Sequence, residues 1–97
     1  MNRILIVEDD IALAKGIELA LKGEDRAFTL CHTLGTARAV LENTGFDLLV
    51  LDVSLPDGSG LDFCREIRAA FKAPILFLTA NDTELDIVAG LELGGDD

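Results

Sequence analysis

The run LLVLDVSLPDGSG at residues 48–60 limits what this chain can fold into more than any other stretch. Leu48, Leu49, Val50 and Leu51 are apolar without alternation, the pattern of a strand covered by helices on both faces of a parallel sheet. The run ends in a single acid, Asp52, and breaks at once into the turn residues Pro56, Asp57 and Gly58. Ligands of open α/β sheets bind beyond the carboxyl ends of the strands, so Asp52 is expected at the mouth of a site. An Asp at that position also suits the turn that follows it. Acids elsewhere in the chain decide between the two readings.

Residues 3–7, RILIV, form a second strand-like run, and it too leads into acids, Glu8, Asp9 and Asp10. Asp10 fits the N-cap of a helix with Ile11, Leu13, Ala14, Ile17 and Leu21 at helical spacing, stopping at Lys22 and Gly23. Residues 27–32, AFTLCH, alternate only partly and are expected at a sheet edge. Thr33 or Thr36 opens a second helix with Ala37, Val40 and Leu41, and Leu61, Cys64, Ile67 and Ala70 or Phe71 mark a third. Pro74 leads into the strand ILFLT at 75–79. A fourth helix is expected from about Asp82, with Leu85, Val88, Ala89 and Leu91 or Leu93 as its apolar face and a stop at Gly94-Gly95. Strands alternating with helices over short loops predict βαβ units, hence one α/β domain over residues 1–97 built on a doubly wound parallel sheet.

Composition narrows the function. The formal charge of -10 argues against this segment gripping a phosphate backbone, which needs clustered Lys and Arg, and favours a cation instead. All the basic residues lie at or before Lys72, whereas residues 73–97 hold only acids among their charged side chains. No apolar run approaches the roughly 20 residues needed to cross a bilayer, and no stretch reads as a cleavable signal. Cys31 and Cys64 show no metal or disulfide spacing and are expected as small core residues with reduced thiols, in a cytoplasmic protein. His32 is expected on the surface, and Asp57 and Gly58 as plain turn residues.

Three of the four strands therefore finish in matching polar residues: Glu8 and Asp9, Asp52, and Thr79. Carboxylates converging at strand tips repel one another unless a divalent cation lies between them, and hard oxygen ligands select Mg²⁺ or Ca²⁺. Mg²⁺ is the expectation, because it keeps waters and leaves room for a phosphoryl group. A carboxylate beside it can then attack phosphorus and form an acyl phosphate.

The four segments ILIVEDD, LLVLDVSLPDGSG, PILFLTA and GLELGGDD, in this order and spacing, resemble the receiver domain of two-component response regulators, most closely the winged-helix transcription-regulator subfamily. The resemblance implies a flavodoxin-like sheet of order 2-1-3-4-5 and a phosphoryl group taken from a histidine kinase. It implies Asp52 as phosphoacceptor, and Glu8, Asp9, Asp52 and the backbone carbonyl of Ser54 as Mg²⁺ ligands. Thr79 corresponds to the switch hydroxyl and Ala80 to the small residue beside it. Glu8 stands where many receivers carry Asp, a slight departure common in this subfamily.

A larger departure follows Asp97, where the family continues into a lysine-bearing fifth strand and a fifth helix. The expectation is a receiver truncated before them, with DNA contacted only through a C-terminal domain not contained in these residues. The bared edge of the fourth strand, around Ile75 to Leu78, together with Val88 to Leu93, would then favour a homodimer by edge pairing or strand exchange. Other functional classes remain in view. A Mg²⁺-dependent aspartyl phosphohydrolase wants a second acid two residues after the nucleophile, where Ser54 stands; Ser54 and the missing basic groove also weigh against a metal-dependent nuclease. A scaffold that does not switch is the third alternative.

Overall fold

Four short runs of aliphatic residues build the centre of the molecule. The computed structural model describes residues 2–78 and the backbone of residues 87–89. Strands β1 (Asn2–Val7), β2 (Arg26–Cys31), β3 (Leu48–Asp52) and β6 (Ile75–Leu78) lie parallel in the order β2-β1-β3-β6. This is the 2-1-3-4 order expected for a flavodoxin-like sheet, two minor strands at 54–59 accounting for the difference in labels. In β1 the residues from Ile4 to Val7 are all buried, as are those from Leu49 to Asp52 in β3, because helices cover both faces.

One face packs against helices α2 (Leu34–Asn43) and α3 (Gly60–Ile67), through Leu5, Val7, Leu49, Leu51, Ile75 and Phe77 from the sheet and Leu34, Ala37, Phe63 and Cys64 from the helices. The other meets helix α1 (Ile11–Leu21), whose Ala14 and Ile17 pack on Ile4, Ile6, Val50 and Leu78. Each helix starts where the side chains dictate. Asp10 accepts from the Leu13 amide at 3.1 Å, Thr33 from Thr36 at 3.2 Å, and Ser59 from Leu61 at 3.1 Å, satisfying amides that have no partner within the helix. The carbonyl of Leu21, at the other end of α1, accepts from the Arg26 guanidinium at 2.6 Å.

Two helix faces differ from expectation. Ile11 and Leu13 are exposed, because only a narrow stripe of α1 rests on the sheet. In α3 the buried residues are Gly60, Phe63 and Cys64, with Leu61 and Ile67 only partly covered; Phe63, absent from the expected face, is one of the largest fully buried side chains.

A further correction concerns the expected fourth helix. Residues 87–89 form strand β7 (Ile87–Ala89), antiparallel to β6, with Leu76 opposite Ala89 and Leu78 opposite Ile87. An unpaired strand edge offers a row of free amides and carbonyls, and β-branched Ile87 and Val88 suit the pairing that satisfies them. The edge of β6 that the sequence suggested would lie bare is thus covered by the chain itself over Leu76 to Leu78. The remaining residues assigned to that helix, Leu85, Leu91 and Leu93, and the site residues Thr79 and Ala80, lie outside the described residues.

Candidate functional site

Parallel pairing sets the depth at which each strand ends. Ile4 to Val7 pair with Leu48 to Leu51, so Glu8, the next residue of the first chain segment, stands level with Asp52 at the end of the second. Asp52 itself pairs with Leu78, the last described residue before Thr79, which is expected to contribute a hydroxyl and lies outside the described residues. The register thus brings Glu8 and Asp52 to one end of the sheet, and Asp9 follows on the loop to α1.

Carboxylate oxygens from Glu8, Asp9 and Asp52 all lie within 4.8 Å of one another. Glu8 and Asp52 are buried, at 3 % and 6 % exposure, while Asp9 is open to solvent. Glu8 Oε2 accepts the Asp10 amide at 2.9 Å, and the Ser54 amide faces Asp52 Oδ1 at 3.4 Å. Burial pushes the Glu8 carboxyl up to about 7; the Asp10 amide opposes the rise, and the neighbouring Asp52 carboxylate adds to it. Glu8 and Asp52 are buried side by side, and together with Asp9 they form a group of carboxylates that could hold a metal ion. The donor set is all oxygen, which fits Mg²⁺ or Ca²⁺. Asp10, expected as a cap, is one, with its carboxylate on the Leu13 amide.

The loop beyond Asp52 is shaped by its glycines. A two-residue turn at Pro56-Asp57 joins the short antiparallel strands β4 (Ser54–Leu55) and β5 (Gly58–Ser59), and Gly58 has φ +150°, which a side chain would strain. Gly60 carries no side chain for a different reason: a Cβ there would overlap the Asp52 carbonyl. That close approach lets the Gly60 amide donate to Val53 O at 2.7 Å, folding the loop back over the end of β3.

Two residues do more than expected. His32, assigned to the surface, is half-buried, and its Nδ1 lies 2.8 Å from the Glu8 carbonyl; since a carbonyl only accepts, Nδ1 carries the proton in this contact. Asp57, assigned to a turn, accepts from the Leu34 and Gly35 amides at 2.9 and 3.0 Å, at the start of α2. Those two bonds hold its carboxyl below the usual carboxylate range. Neither partner is signalled locally, since each bond spans more than twenty residues. Cys31 and Cys64 are buried among apolar neighbours, and burial pushes the Cys31 thiol up.

The chain is similar to known proteins in sequence and in fold. The response regulator receiver domain family matches residues 4–97. RegX3, a sensory transduction protein of Mycolicibacterium smegmatis, is 41 % identical over 97 residues, which make up the whole of this chain and 42 % of the relative. The transcriptional regulatory protein BasR of Escherichia coli is 45 % identical over 96 residues, 98 % of this chain and 43 % of its own length. The chain therefore spans less than half the length of these curated relatives. Among solved structures, TrrA of Thermotoga maritima, a response regulator in complex with Mg²⁺-BeF, superposes with a TM-score of 0.76 at 31 % identity, covering 84 % of this chain and 72 % of that one.

Proposed function

Because the chain belongs to the response regulator receiver domain family, we propose that Asp52 is a phosphoacceptor and that Glu8, Asp9, Asp52 and the Ser54 carbonyl hold Mg²⁺ beside it. The observation that carries this reading is the convergence of three carboxylates, two of them buried, at the end of β3. The Mg²⁺-BeF complex of TrrA supports it by likeness.

A carboxylate oxygen of Asp52 attacks the phosphorus of a phosphohistidine. The phosphorus–nitrogen bond breaks, and the imidazole leaves with its electron pair and takes up a proton. Held by Glu8, Asp9, Asp52 and the Ser54 carbonyl, a Mg²⁺ ion would supply positive charge to offset the charge of the phosphoryl group in transfer. The side chains have simpler duties. Glu8 and Asp9 would hold the ion, and burial of Asp52 limits water at the reacting atom. The Thr79 hydroxyl would hydrogen-bond the new phosphoryl, and Ala80 would leave it room. The donor is a histidine kinase, and the added charge controls association and, through a DNA-binding domain beyond these residues, transcription in the cytoplasm. Ser54 in place of a second acid disfavours turnover as a phosphohydrolase.

Incubation with a small acyl phosphate and Mg²⁺ tests the proposal, in a version carried on through the lysine that the family implies. The expected product is one base-labile phosphoryl group on Asp52, absent from D52N and absent when EDTA removes the metal. Steady release of phosphate from simple esters, or labelling that survives D52N, would overturn it.

A further inference from the structure

Residues 31–35, from the last residue of β2 into the first turn of α2, touch both loops that carry the acids. On one side the Glu8 amide donates to Cys31 O at 2.9 Å, and His32 Nδ1 donates to Glu8 O at 2.8 Å, so both backbone polar groups of Glu8 are held from this segment. On the other side the Leu34 and Gly35 amides donate to the two carboxylate oxygens of Asp57, in the loop that follows Asp52. Apolar contact reinforces the second link: Leu34 is buried in the same cluster as Leu55, and a Cβ on Gly58 would come within 3.0 Å of Leu34 Cδ1.

We infer that residues 31–35 form a clamp across the metal-holding loops, with His32 and Asp57 as positioning residues that set the spacing of Glu8 and Asp9 from Asp52 and Ser54. The inference rests on the reading of the site as a Mg²⁺ centre and adds the residues that pre-shape it. Mg²⁺ tolerates little deviation from octahedral geometry, so ligands on two loops bind it well only when the loops are held at a fixed separation. Neither His32 nor Asp57 touches the ion in this scheme. Each acts through the backbone of the loop it holds, as outer partners of metal ligands do.

Calorimetric titration of the chain with Mg²⁺ tests this, using the parent, H32L, H32N, D57A and D57N, with the unfolding midpoint of each measured by circular dichroism. H32L and D57A are expected to weaken Mg²⁺ binding by roughly tenfold each. H32N, whose side-chain nitrogen reaches the place of Nδ1, should recover most of the affinity, and D57N, which keeps one acceptor oxygen, should fall between. Amide exchange at Leu34 and Gly35 should slow when Mg²⁺ binds the parent but not D57A. Variants that melt earlier yet bind Mg²⁺ as the parent does would overturn the clamp while leaving the metal site standing. If H32L or D57A fails to fold, parent affinity in D57N, or no difference between H32N and a glutamine whose amide sits one bond further out, has the same force. Absence of Mg²⁺ binding by the parent would overturn the metal site itself, and this inference with it.

Discussion

Replacing Glu8 by Gln is the most direct probe of the buried acids. The carboxyl is held at about 7 against an ordinary value of 4.5, first by burial and then by the charge of Asp52. Ionising it in the fold therefore costs up to roughly 3 kcal/mol, and water reaching the site on the exposed Asp9 side brings the expected figure nearer 2 kcal/mol. The direction follows from proton counting. Between 4.5 and about 7 the folded chain binds more protons at Glu8 than the unfolded chain does, so this contribution to stability is full below the lower value and lost as pH rises through the upper one. Glutamine mimics the protonated acid, can still accept the Asp10 amide, and removes the dependence. In urea unfolding followed by far-UV circular dichroism, the sequence having neither Trp nor Tyr, E8Q should gain on the parent by roughly 2 kcal/mol between about pH 5 and about pH 8.5 without metal. Saturating Mg²⁺ should reverse the order at the high end: about a hundred times the dissociation constant stabilises a binding chain by ~2.7 kcal/mol, and E8Q forfeits most of that. A parent-minus-variant difference that stays flat across this pH range, or equal stabilisation of both chains by Mg²⁺, would refute the reasoning.

Gly60→Ala pushes a methyl group into the Asp52 carbonyl and should destabilise by about 1–3 kcal/mol while displacing the acid, so both the urea midpoint and the Mg²⁺ affinity fall. Phe63→Ala empties a fully buried site beneath Arg38, whose guanidinium carbon lies 5.3 Å from the ring centroid; a loss of about 3–5 kcal/mol is expected in the same unfolding assay, and less than 1 kcal/mol would mean that the site collapses or was never packed. Cys31 and Cys64 should resist a thiol reagent in the native chain and react together in denaturant; fast native labelling of either would contradict its burial.

Much of the fold was legible because its signals are local. The unalternating run at 48–52 reads as a central strand on its own, Asp10 announces its helix, the choice of Thr33 or Thr36 brackets the start of the next, and acids at two strand tips point to a cation before any coordinates are known. Periodicity was less reliable at the margins. It counted Ile11 and Leu13 into a face that meets the sheet only at Ala14 and Ile17, and it passed over Phe63. Around Val88 it read a helical stripe where three residues pair along β6, because an open strand edge can draw a β-branched segment whatever its spacing.

The acids themselves, Glu8 and Asp9 after one strand and Asp52 at the end of another, are legible from residue type and order alone. Tertiary structure decided that Glu8, Asp9 and Asp52 come together, how deeply Glu8 and Asp52 are buried, and hence that the Glu8 carboxyl is pushed up to about 7. It also decided the parts played by His32 and Asp57, whose hydrogen bonds join residues 22 to 24 positions apart. A bond across that distance depends on where two loops meet in space, and no local pattern of side chains encodes the meeting.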